Sequence, residues 1–207
     1  MKGLLLKDFY VLWKQTKMFL LMVIIYSFTP IFGEGNFSVG FTVIFCAMLP
    51  ITVMGLDERA KWDRVAVCMP YSRQELVISK YILGLLCLLF AGALAAAGVF
   101  VRGFLFKSGI SGEIFLSIIP IMSIGLIFQA INFPIHFKLG VEKGRLFFLI
   151  ITVFIIGGLG GVLSIIKIDT ASIETLLGNI LLLPAGALII SFLSAMLSIR
   201  IFNKREI

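Results

Sequence analysis

Six long apolar stretches, at 18–32, 37–56, 76–101, 114–135, 146–166 and 176–202, constrain what this chain can fold into more than any other feature. A helix needs about 20 predominantly apolar residues to cross a bilayer, so runs of this length predict membrane spans. The first run is short and must draw on its flanks. The third and sixth are long enough to tilt or to project beyond the lipid. The expected fold is all-α: a single transmembrane domain over 1–207 with six transmembrane helices. Composition agrees, since 60% of the 207 residues are hydrophobic, 20 of them Phe. A soluble domain of that size could not hide so much apolar surface. Seventeen residues precede the first run and no small-residue cleavage site follows it. That run therefore reads as an uncleaved span.

Charge distribution sets the expected orientation. Lys2, Lys7, Lys14 and Lys17 precede the first run, and Arg59, Lys61, Arg64, Arg73 and Lys80 lie between or just inside runs two and three. Lys138, Lys143 and Arg145 follow run four, and Arg200, Lys204 and Arg205 close the chain. These connections alternate with others that carry only Arg102, Lys107 and Lys167, so one side holds 15 of the 18 basic residues. The positive-inside rule places both termini and the 57–75 connection of this multi-pass protein in the cytoplasm. The net charge of +7 is thus explained by topology, and no nucleic-acid partner is expected.

Two segments stand out on that face. Residues 1–17 alternate at helical period, with Leu5, Phe9, Leu12, Trp13 and Thr16 on one side and Lys7, Asp8, Lys14 and Gln15 on the other. The pattern suits an amphipathic helix lying in the membrane interface. Segment 57–75 reads DERAKWDRVAVCMPYSRQE and carries four acidic and four basic residues. Asp57 to Val67 is expected to form a short helix, with Asp57 and Glu58 at its N-terminus and Asp57 paired to Lys61. Pro70 breaks the chain, and Ser72 with Glu75 matches the capping box of a helix starting near Arg73. The whole is an elbow. Read from residue types alone, a solvated charged hairpin is the alternative.

These features together resemble the membrane subunit of a type-2 ABC exporter. The resemblance rests on the opening MKGLLLKDF and on Asp57, Glu58, Met69, Pro70, Ser72, Arg73, Val77, Ser79, Lys80 and Tyr81 in their order. It points to the small bacterial permeases that include exporters of amphipathic peptides such as phenol-soluble modulins. The resemblance implies that 57–75 is a coupling helix seated in a groove of an ATPase subunit. It also implies two ATPase copies, a second permease copy or close paralogue, and ATP with Mg bound in the ATPase alone. Asp57, Glu58, Arg59, Lys61, Trp62, Asp63 and Arg64 are the candidate contacts to that partner, with Trp62 among charges as a hot-spot arrangement.

This chain itself is not expected to be an enzyme. It has no G-x-x-x-x-G-K-[ST] phosphate loop, and the three cysteines have no metal or redox spacing. Cys46 and Cys87 lie in apolar runs and read as packing residues. No catalytic, cofactor or metal residues are expected. No ionisable side chain falls deep inside a run, which argues against coupling to ions. His136, the one histidine, falls at the end of run four and reads as an interfacial residue ahead of a proton relay. Gln129 and Asn132 are the most polar groups within a run, candidates for interhelical hydrogen bonds or for a substrate path. Gly157 and Gly161 match G-x-x-x-G in run five, for close helix packing or a dimer seam. The functional expectation is an exporter permease moving an amphipathic or apolar peptide, lipid or drug. The alternative is a membrane scaffold or sensor that recruits a cytoplasmic protein through 57–75.

Overall fold

The computed structural model describes residues 2–28, 37–69, 71–106, 112–144, 146 and 182–204. Among them every regular element is a helix: α1 (Lys2–Gln15), α2 (Lys17–Phe28), α3 (Phe37–Arg59), α4 (Trp62–Val67), α5 (Arg73–Phe106), α6 (Gly112–Leu139) and α7 (Leu182–Asn203). Helices satisfy their backbone groups internally, which lipid demands of any spanning segment. Four of the described helices, α3, α5, α6 and α7, are long and apolar enough to cross a membrane. A fifth crossing exists if α1 and α2 count as one span bent by 78°. The expected run at 146–166 lies outside the described residues except for Leu146, as do Gly157 and Gly161.

The bend falls at Thr16. Its hydroxyl donates to the Leu12 carbonyl, which also accepts the Thr16 N–H. A side chain that competes for a helical carbonyl in this way bends the helix. The face of α1 turned to the protein carries Leu4, Asp8 and Leu12, while Leu6, Phe9, Tyr10 and Trp13 are exposed. This corrects the periodic reading in one respect: Asp8 is buried, because it is ion-paired, on the face that carries Leu4 and Leu12.

Between α3, α5 and α6 the packing is close because small residues line it. A side chain added at Gly125 would meet Val43 and Leu88, and one at Gly92 would meet Met122. At Gly98 the obstacle is the backbone carbonyl of Ser27, so α2 and α5 approach almost to backbone contact. Cys46 and Cys87 are free thiols buried in the same core as Val43, Leu83 and Ala91. Near the other end of α3, Tyr26 stacks on Phe41 and Phe45 at 5.7 and 5.6 Å.

Helix α7 is joined to α6 at a defined point. Pro134, inside α6, has no N–H, so the carbonyl four residues back at Ala130 loses its helical donor. The Ser194 hydroxyl of α7 donates to that carbonyl. Tyr81 of α5 shares hydrogen bonds with both Ser194 (2.7 Å) and Ser198 (2.8 Å). A proline in one helix thus creates the polar contact by which another is held.

Candidate functional site: a charged corner beneath the elbow

Helix α3 continues through Asp57 and Glu58 and stops at Arg59. Lys61 follows in the left-handed region (φ 51°), and α4 begins only at Trp62. A left-handed residue just past a helix end is a common stop, although glycine usually takes it. The expected helix from Asp57 to Val67 is therefore divided. Asp57 and Glu58 close one helix instead of opening the next. Acids at a helix C-terminus are disfavoured by the dipole, so they need compensation from elsewhere. Both have it.

Asp57 belongs to a closed ring of four alternating charges. Lys7 Nζ lies 3.0 Å from Asp8 and 2.7 Å from Asp57. Lys80 Nζ lies 2.8 Å from Asp8 and 2.6 Å from Asp57. Each lysine holds both aspartates, and each aspartate both lysines. Asp8 is 1% exposed, Asp57 7% and Lys80 9%. Lys61, the partner expected for Asp57, is exposed and takes no part. The ring unites α1, the end of α3 and the first turns of α5. Buried charges of this kind are tolerated only when paired and hydrogen-bonded. Lys7 Nζ also stands 4.4 Å from the centroid of the Trp62 ring, which ties α4 to the same corner. A cavity of about 50 Å³ adjoins the ring, with Glu58, Trp62, Ser79 and His136 in its wall.

Glu58 is compensated differently. Gly140 caps α6 in the left-handed region (φ 79°), its N–H donating to the His136 carbonyl. Its own carbonyl accepts the Gly144 N–H and so opens the next helical turn at 141–144. The first amides of such a turn have no helical acceptor. Glu58 Oε2 accepts one of them, the Val141 N–H, at 2.5 Å.

The remaining candidates fall into three groups. Arg59 and Lys61 are exposed, and Trp62 is half-buried beneath Lys7. Asp63 and Arg64 stand in α4 with side chains outside the described residues, and Pro70 lies outside them altogether. Ser72 and Glu75 exchange reciprocal bonds at the start of α5: Ser72 N–H to Glu75 Oε2 (3.0 Å) and Glu75 N–H to Ser72 Oγ (3.2 Å). Arg73 Nη1 then donates to the Asn203 carbonyl at the end of α7 (3.1 Å).

Within the bundle, Gln129 Nε2 donates to the carbonyls of Gly84 (3.2 Å) and Ala47 (3.5 Å), joining α6 to α5 and α3. Asn132 Nδ2 donates to Phe128 in its own helix. His136 is buried, and because its Nδ1 faces the Asn132 carbonyl at 2.8 Å, that nitrogen is the donor. No three His, Cys, Asp or Glu side chains among the described residues converge as metal ligands.

Asp57 and Glu58 therefore face inward, while Arg59 and Lys61 are exposed. Lys7, Asp8, Lys80 and Gly140 were not singled out as site residues by sequence. The available signal was Asp8 and Lys80, each with only apolar residues or glycine three and four positions away along its helix. A family model described as ABC-2 family transporter protein matches residues 3–203. No curated protein and no solved structure matches the chain.

Proposed function

Since the chain belongs to the ABC-2 family of transporter proteins, we propose that its charged elbow is where a separate ATPase subunit drives transport. The family match over nearly the whole chain is the observation that carries this reading. On it, the protein is the multi-pass permease of an exporter in a bacterial plasma membrane, with six spans and cytoplasmic termini. ATP and Mg bind in the partner. Two ATPase copies and two permeases, identical or paralogous, complete the transporter.

Two features of the elbow support the reading. Its exposed side chains Arg59 and Lys61 can meet an acidic groove, while Asp57 and Glu58 are held by partners within the protein. Its ends are tied to α1, α3, α5 and the 140–144 turn, so a push on α4 reaches the membrane helices without being lost in a slack loop. Helix α5, 34 residues long, would carry that movement toward a path between protomers. The apolar, ion-poor helices favour an amphipathic or apolar cargo such as a peptide, lipid or drug.

The test is co-purification of the ATPase subunit with tagged permease. Trp62→Ala with Arg64→Glu, or Arg59→Glu with Lys61→Glu, is expected to abolish capture while insertion and monodispersity persist. Undiminished capture by both double variants would overturn the assignment of the elbow.

A further inference from the structure

Glu58 reads at first as one more charge on a charged elbow, yet its carboxylate accepts a defined hydrogen bond, from the Val141 N–H across 83 residues of sequence. Three observations converge on that contact. Glu58 sits in the last turn of α3, where a negative charge is unfavourable without outside compensation. Val141 opens a helical turn and has no acceptor of its own there. Gly140 is the one residue type that fits between them. Its φ of 79° strains any L side chain, and a Cβ at that point would collide with Glu58 Oε1.

We propose that Glu58 is a positioning residue that fastens the elbow to the 140–144 turn, so that α6 moves with the elbow. The ring of Lys7, Asp8, Asp57 and Lys80 links the elbow to α1 and α5; Glu58 supplies the separate link to α6. The inference that this link transmits work rests on the reading of the elbow as the ATPase-driven element. The link itself does not depend on it.

The experiment has two arms. In purified permease alone, amide exchange is followed over 140–144. Glu58→Ala is expected to speed exchange there about tenfold or more, as loss of a charge-assisted hydrogen bond implies. Glu58→Gln retains an acceptor oxygen and is expected to stay near wild type. Gly140→Ala breaks the same contact from the other side and provides the check if Glu58→Ala folds poorly. Unchanged exchange in both Glu58→Ala and Gly140→Ala would overturn the link.

In permease co-expressed with its ATPase subunit, Glu58→Ala is expected to leave capture of the subunit intact. It should reduce the permease-dependent stimulation of ATP hydrolysis about tenfold, with Glu58→Gln restoring it. Faster exchange with undiminished stimulation would overturn the positioning role. Failure of the wild-type permease to capture any ATPase subunit would overturn the proposed function and leave the exchange result standing.

Discussion

The elbow end and the interior of the bundle are held together by opposite means. At the elbow, helices meet through buried charge: four alternating ions and a carboxylate on a backbone amide. In the interior they meet through absence of bulk, at Gly92, Gly98 and Gly125 and along Ala91 and Ala95, with Gln129 as a polar tie. Lipid tails are as apolar as leucine, so the interior gains from contact and fit more than from excluding water. The elbow should therefore tolerate changes of volume but not of charge, and the interior the reverse.

The largest expected effect tests the charge side. Lys80→Met keeps most of the side chain's volume and leaves Asp8 and Asp57 with one ammonium between them. Breaking a buried ionic cluster from one side costs about 3–5 kcal/mol, which should appear as a large drop in unfolding midpoint in detergent. A loss below about 1 kcal/mol would mean the ring behaves as a surface pair, and the comparison would fail.

The next tests the interior. Gly98→Ala adds one carbon against the Ser27 carbonyl, which cannot rotate away, and should cost about 1–3 kcal/mol. Gly92→Ala meets the flexible Met122 side chain and should cost less, since methionine adapts readily. Equal losses at the two positions, measured by the same unfolding assay, would show that the interior is less tightly fitted than its glycines imply.

A paired replacement sharpens the charge argument. Lys80→Met with Asp57→Leu removes one ion of each sign and leaves Lys7 with Asp8. Stability should return to within about 1 kcal/mol of wild type, as replacement of buried ion pairs by apolar groups is often neutral. Non-additivity in this cycle is the measurement that matters.

The smallest effect is expected where the regions meet. Tyr81→Phe deletes a hydroxyl that bonds Ser194 and Ser198 and should cost about 0.6 kcal/mol, the average for such bonds between membrane helices.

What was legible in the sequence followed the range of the interaction. The apolar runs show as helices because hydropathy is a property of the segment itself. The Ser72–Glu75 box is readable because its two partners are three residues apart. The ring is not readable in that way. Asp8 meets Lys80 from 72 residues away, and helical periodicity alone assigns Asp8 to the polar face with Lys14. The elbow's first boundary escapes the sequence for the same reason. Local dipole logic puts Asp57 and Glu58 at a helix start, and distant partners let them sit at a helix end instead. Gln129 lies between these cases: its burial demanded a partner, but only the fold identifies the Gly84 and Ala47 carbonyls.

The ring also has an order in time. A chain emerges N-terminus first, so Lys7 and Asp8 exist long before Lys80. While only Lys7, Asp8 and Asp57 have been made, the corner carries one positive and two negative charges and cannot be neutral. It becomes balanced when the start of α5 arrives, and Glu58 waits longer still, until Val141 is made. Helix α1 is thus locked only after α2, α3, α4 and the start of α5 have been delivered.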